Sequence, residues 1–159
     1  MSSEKLKFRL ELYSTYWDKT PRAEILINSH SHYNQEITGT EKEPTIIEFE
    51  QELTEGENYS LIIERSGKDN RQTVVENGQI IKDQLLHIKS IEIDEIEIGA
   101  LVYSGLYTPQ YPKQWLEQQA ALGNVLPESF KNVTSMGYNG RWELGFTSPF
   151  YMWLLENLY

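Results

Sequence analysis

His30 and His32 stand two residues apart. On a strand both would share one face, near enough to grip a metal ion. The chain offers no third ligand beside them, and exposed turn residues are their default reading. His87 falls between Leu86 and Ile88, on the opposite parity from both. That favours a partly exposed strand position over a catalytic base, since no Gly-x-Ser-x-Gly elbow or other motif places a serine or an acid to complete a triad. Phosphate loops of the Gly-x-x-x-x-Gly-Lys type are missing too. Glu92, Asp94, Glu95 and Glu97 crowd between isoleucines. Two facing carboxyl groups can cleave a glycoside, but such a run reads first as a solvated strand face. Asp69 and Asn70 share one loop and Asp83 ends a hairpin. Brought together they would make an oxygen cluster of the kind calcium takes, so Asp69 and Asp83 are the candidate metal ligands and calcium the candidate ion. Tyr16 and Trp17 follow the first strand at a loop, where aromatic faces stack on sugar rings; packing in a core or an interface is their commoner use.

The composition narrows the function classes. With 24 acidic and 14 basic residues the chain carries −10, the wrong sign for gripping nucleic acid or anionic lipid. Cysteine is absent, which removes disulfides, thiolate metal sites and cysteine nucleophiles. Met1 to Lys5 has no apolar signal core, so no secretory leader is expected, and no apolar run is long enough to span a bilayer. Hydrophobic residues at 39% and charged residues at 24% place the chain among folded globular proteins.

The elements that must position these side chains read mainly as strands. Leu6, Phe8, Leu10 and Leu12 alternate with Lys5, Lys7, Arg9 and Glu11, the period of a half-buried strand. Ala23, Ile25 and Ile27 form a second series after Pro21, and Asn28 to Ser31 a turn. Ile47 and Phe49 point inward in a strand from Thr45 to Leu53, and Tyr59, Leu61 and Ile63 in the next. Asn77-Gly78 between Thr73–Val75 and Ile80–Ile81 is a strong hairpin signal. Leu86, Ile88, Ile91 and Ile93 continue the inward pattern, and the parity slip at Asp94-Glu95 predicts a bulge or a strand changing sheets. Strands this short, spaced by turns, predict a mainly β jelly-roll sandwich over residues 1–99.

At Gly99 the composition changes. Residues 1–99 hold 7 aromatics and residues 100–159 hold 12. The second stretch reads as an aromatic-rich extension containing two short helices, packed on the sandwich or on a partner subunit. Pro112 opens the first, with Trp115, Leu116, Gln119 and Leu122 on one side and Gly123 as its stop. Arg141 to Phe146 alternates as a strand. Ser148 caps and Pro149 opens the second helix, whose apolar residues cover nearly its whole circumference, so burial is required. Tyr, Trp and Met are favoured at interfaces. Trp115, Phe150, Met152, Trp153, Leu154 and Leu158 are therefore the expected partner contacts.

Two resemblances follow from these residues. Residues 5–98 resemble the jelly-roll carbohydrate-binding modules of the calcium-dependent xylan-binding type, through the short strand Ile25 to Asn28, the return Glu57 to Leu61, and the segment Asp83 to Asp94. The Thr73–Ile81 hairpin departs from that pattern near where the family's calcium loop lies. The resemblance implies Asp83 and Asp69 as calcium ligands. It gives one function hypothesis, recognition of a host-surface glycan with Tyr16 and Trp17 as the sugar-stacking pair. The segments Thr73 to Asp83, Ile91 to Asp94, Tyr111 to Trp115, and Gly140-Arg141-Trp142 leading to Ser148-Pro149-Phe150 resemble uncharacterised structural proteins of marine tailed bacteriophages. This second resemblance implies a virion component. The leading expectation is accordingly a non-enzymatic subunit of a phage tail or capsid, assembled in the host cytoplasm. Its expected partners are other virion proteins and further copies of itself, not nucleic acid or membrane.

Overall fold

The computed structural model of the chain describes residues 2–158. In order, the chain forms β1 (Ser3–Thr15), β2 (Arg22–Ile27), β3 (His30–Glu36), β4 (Thr45–Thr54) and β5 (Asn58–Ser66). The hairpin β6 (Val74–Glu76) and β7 (Gln79–Lys82) follows, then β8 (Leu85–Ile93), β9 (Ile96–Glu97) and a 3-10 turn at Gly99–Ser104. The remainder gives β10 (Leu106–Pro109), α1 (Lys113–Ala121), β11 (Ser135–Met136), β12 (Gly140–Thr147) and α2 (Phe150–Leu158). One antiparallel sheet has the order β11-β8-β1-β4, with β9 folded back on β8; the other runs β10-β12-β5-β2-β3. The chain passes from sheet to sheet at most connections, which is the jelly-roll way of winding a sandwich.

The alternation seen in the sequence fills the space between the sheets. Leu6, Phe8, Leu10 and Leu12 face Ala23, Ile25, Ile27, Leu61 and Ile63, and all are buried. Phe8 stacks on its cross-strand partner Phe49 with centroids 5.0 Å apart and meets Phe146 of the other sheet at 6.2 Å. The Asn77-Gly78 hairpin forms as expected, both residues holding positive φ. No helix among the described residues is long and apolar enough to cross a membrane.

Two expectations are corrected. Asp94 and Glu95 have φ of 55° and 67° and make a two-residue turn that pairs Ile96 back with Ile93, neither a bulge nor a change of sheet. The bulge of β8 lies earlier: Glu11 pairs with Ser90 and Leu12 with Ile88, which leaves Lys89 as the extra residue. The division at residue 99 is not a seam of the fold either. β12 runs between β5 and β10, in register from Gly140↔Arg65 to Thr147↔Asn58, and brings Trp142, Leu144 and Phe146 into the common core. β12 is thus an interior strand of its sheet and its inward residues belong to the common core, so residues 100–159 complete the sandwich instead of extending it.

Trp142 is fully buried, and the packing around it depends on Gly105. A Cβ on Gly105 would lie 2.3 Å from Cε2 and Nε1 of the indole, although φ of −62° suits any residue. Gly105→Ala is therefore expected to lower stability by about 1–3 kcal/mol through overpacking, measured as the shift of a urea midpoint. An unchanged midpoint would mean that the ring moves aside freely.

Candidate functional site

On β5 the inward series Tyr59, Leu61, Ile63 continues to Arg65, which is 2% exposed. Its guanidinium meets carbonyl and amide oxygens: Nη1 donates to Gln84 Oε1 at 2.8 Å and Asn139 Oδ1 at 2.9 Å, Nη2 to the Gln84 carbonyl at 2.8 Å, and Nε to the Met136 carbonyl at 3.3 Å. Burial pushes its pKa down to about 10, opposed by Tyr107 and Asp83, so the group stays charged at neutral pH. A buried cation held by oxygens from the β7–β8 connection, from β11 and from the β11–β12 connection ties these segments into one rigid end of the sandwich. Tyr107 works beside it. Its hydroxyl donates to the Tyr138 carbonyl and accepts from the Tyr138 amide, and burial pushes its pKa up to about 12.

Asn139 links this network to the surface. Its Oδ1 also accepts from the Lys68 amide at 3.1 Å, and its Nδ2 donates to the Lys68 carbonyl at 2.9 Å. The Lys68 ammonium reaches Asp83 Oδ1 at 2.6 Å and the Gly137 carbonyl at 2.5 Å, and lies 5.8 Å from the centre of the Tyr138 ring. Thr73 Oγ1 and the Gln84 amide donate to the same Asp83 oxygen. Burial works to raise the Asp83 pKa, but Lys68 and these hydrogen bonds outweigh it and hold the carboxyl below its ordinary value.

Above this network opens a cleft of ≈ 440 Å³. Its floor is Lys68, Asp69, Asn70, Tyr138 and Asn139. Thr73, Val75 and Ile80 of the β6–β7 hairpin form one wall, and Gln110, Pro112, Gln114, Trp115 and Gln118 form the other. α1 contributes the second wall without burying any side chain of its own. A nine-residue helix of that kind has little stability in isolation; Pro112 opens it, Gly123 at φ of +81° stops it, and Tyr111 anchors the flank through its hydroxyl to the Pro127 carbonyl at 2.8 Å.

The residues singled out in the sequence are scattered. Tyr16 and Trp17 are exposed; the Trp17 indole donates to the Gln72 carbonyl and the Lys82 ammonium covers its ring at 4.5 Å. Asp69 accepts from the Arg71 amide and guanidinium, which hold its carboxyl below the ordinary range. Both candidate calcium ligands thus already face protein cations, and among the described residues no group of three His, Asp or Glu is gathered for an ion. His30 and His32 lie side by side at 4.7 Å in β3; His32 bonds Gln51 and stacks on Phe49. His87 lies between Thr15 Oγ1 at 2.8 Å and Ser135 Oγ at 2.7 Å and stacks on Tyr13; burial lowers its pKa. A serine in contact with a histidine has the spacing of a nucleophile and its base. Here, though, the group orienting the ring is a hydroxyl, and neither Ser135 nor His87 lines the cleft.

The expected partner contacts divide. Phe150, Trp153 and Leu154 are buried in the chain's own core, correcting their reading as partner contacts: Phe150 and Trp153 stack at 5.9 Å, and both meet Phe146 edge-on. Trp115, Met152 and Leu158 remain exposed. Arg65, Gln84, Tyr138 and Asn139 were not foreseen. For Arg65 and Gln84 the signal was present: Arg65 is a polar residue on the inward parity of β5, and Gln84, just before β8, shares the parity of Leu86 and Ile88.

The fold and site together define a β-sandwich carrying a polar-floored, aromatic-flanked cleft at one end. No protein-family model matches the chain, nor does any curated protein or solved structure.

Proposed function

We propose that this chain is a non-enzymatic virion subunit of a tailed bacteriophage, in the tail or the capsid, acting through lasting assembly contacts with copies of itself and with other virion proteins. The observation that carries the contact part of this reading is the outer face of α2. Tyr151, Met152, Leu155 and Leu158 are 48%, 57%, 60% and 52% exposed, and the spacing of 151, 155 and 158 sets them along one stripe. The opposite face is locked into the core, so this stripe is held in place and cannot turn inward. An apolar stripe on a fixed helix is the form an interaction surface takes. Its placement in a virion rests on the phage resemblance. The net charge of −10 keeps free subunits apart in solution until a specific contact is made.

The test is the mass of the full chain by light scattering, beside the double variant Met152→Asp, Leu155→Asp. The native chain is expected to self-associate, and the double variant to lose that association with its melting temperature unchanged. A native chain that stays monomeric at the highest attainable concentration, or a variant with undiminished association, would overturn the reading.

A further inference from the structure

We infer that the cleft between the β6–β7 hairpin and α1 is a binding site for a neutral saccharide chain, recognised without a metal ion. Three observations converge on it. The first is the supply of unused amides. In the α1 segment the side-chain hydrogen bonds run from Tyr111 to the Pro127 carbonyl and from Asn124 to Gln119. Gln110, Gln114 and Gln118 make none with the described residues, and all three line the cleft. Gln114 and Gln118 are one helical turn apart, about 6 Å between their Cβ atoms, a spacing close to the repeat of a pyranose chain. An amide offers donors and an acceptor together, which suits a hydroxyl that does both.

The second is the aromatic surface. Trp115, 39% exposed, lies beside these amides on the same wall, and Tyr138 lines the floor. A sugar presents a flat C–H face for stacking and a rim of hydroxyls for the amides, and few other ligands present both. The third is the electrostatics and rigidity of the floor. Lys68 is neutralised by Asp83 and Asp69 by Arg71, so the cleft offers dipoles and no free charge, on a protein whose overall charge disfavours acidic glycans. Asn139 and Lys68 are held from beneath by Arg65 and Asp83, the kind of supporting layer that keeps a binding surface in one geometry. The Lys68 ammonium occupies the position beside Asp83 that an ion would need.

The test titrates xylohexaose, cellohexaose, maltohexaose and mannohexaose, with a heparin hexasaccharide as the acidic comparison, into the full chain. Calorimetry and tryptophan fluorescence report binding, with and without EDTA. At least one neutral hexaose is expected to bind saturably and to be indifferent to EDTA. Trp115→Ala and, independently, Gln114→Ala should each weaken it roughly tenfold with melting unchanged, while Trp17→Ala leaves it intact. No saturable neutral ligand, binding that survives both cleft variants, loss on Trp17→Ala, loss in EDTA, or preference for heparin would each overturn the inference. Assembly is read on α2 variants and sugar binding on α1 variants, so the failure of either leaves the other standing.

Discussion

Arg65→Met is expected to loosen one whole end of the sandwich. Methionine restores apolar volume and removes a costly buried cation, which alone would be neutral or favourable. But the guanidinium satisfies Gln84 Oε1, the Gln84 carbonyl and Asn139 Oδ1 at 2.8–2.9 Å, and Gln84 is itself fully buried. Asn139 Oδ1 keeps the Lys68 amide as a donor, but the two Gln84 oxygens lose theirs, and acceptors left without donors in such a place cost about 1–3 kcal/mol each. The net loss should therefore be about 3 kcal/mol, read from urea denaturation. The effect should also be local. The Lys68 amide, which donates to Asn139 Oδ1, should lose hydrogen-exchange protection before the β1–β4 ladder does. Arg65→Lys should fall between, because one ammonium cannot reach the three sites a planar fork spans. A methionine variant within 1 kcal/mol of the native chain, with the Lys68 amide still protected, would show that the loops hold themselves.

That network explains what could and could not be read in the sequence. Period-two alternation reported the inner faces of β1, β2, β5, β8 and β12, because a residue buried on one face of a sheet leaves its mark on every second position. The hairpin was legible because Asn77-Gly78 tolerates two positive φ angles that few other pairs do. β10 and β11 were missed: they are two to four residues long and take their shape from β12 and β8, not from a pattern of their own. Chemistry was harder to find than architecture. Asp69 and Asp83 stand out in the sequence for their charge, yet a single loop between β5 and β6 supplies the cation to each: Arg71 to its near neighbour Asp69, and Lys68 to Asp83. Asn139 was hidden because it acts through an amide, and an amide in a loop looks like any polar turn residue. The more informative sign was a break in the pattern. Arg65 stands where the inward parity of β5 calls for an apolar side chain, and Gln84 continues the inward parity of β8 one residue before that strand begins; a polar group in such a place implies partners waiting in the interior.

Trp153→Ala should cost about 3–5 kcal/mol of stability, and the size of that loss tests whether α2 belongs to the fold or waits for a partner. Its indole is 9% exposed and packs against Phe150 and Phe146 at 5.9 and 6.3 Å. Phe146 in turn meets Phe8 on the opposite sheet, so truncation opens a cavity that reaches the centre of the core. The helix start is fixed separately. Glu4 of β1 accepts from the Ser148 hydroxyl and from the Phe150 amide at 2.8 Å, which places a carboxylate at the positive end of α2 and takes the capping role expected of Ser148. With start and inner face both anchored, the helix has one rotation available to it. Leu155→Ser on the outer face should then change stability by no more than about 0.5 kcal/mol. A helix that docked only on a neighbouring subunit would behave differently: Trp153→Ala would lower the mass of the assembly and leave the melting of the single chain untouched. Circular dichroism melts of both variants, run below the association concentration, separate the two cases. The core contacts made by Phe150, Trp153 and Leu154 favour the first, and in that case the stripe from Tyr151 to Leu158 is presented to solvent by a helix with no freedom to withdraw it.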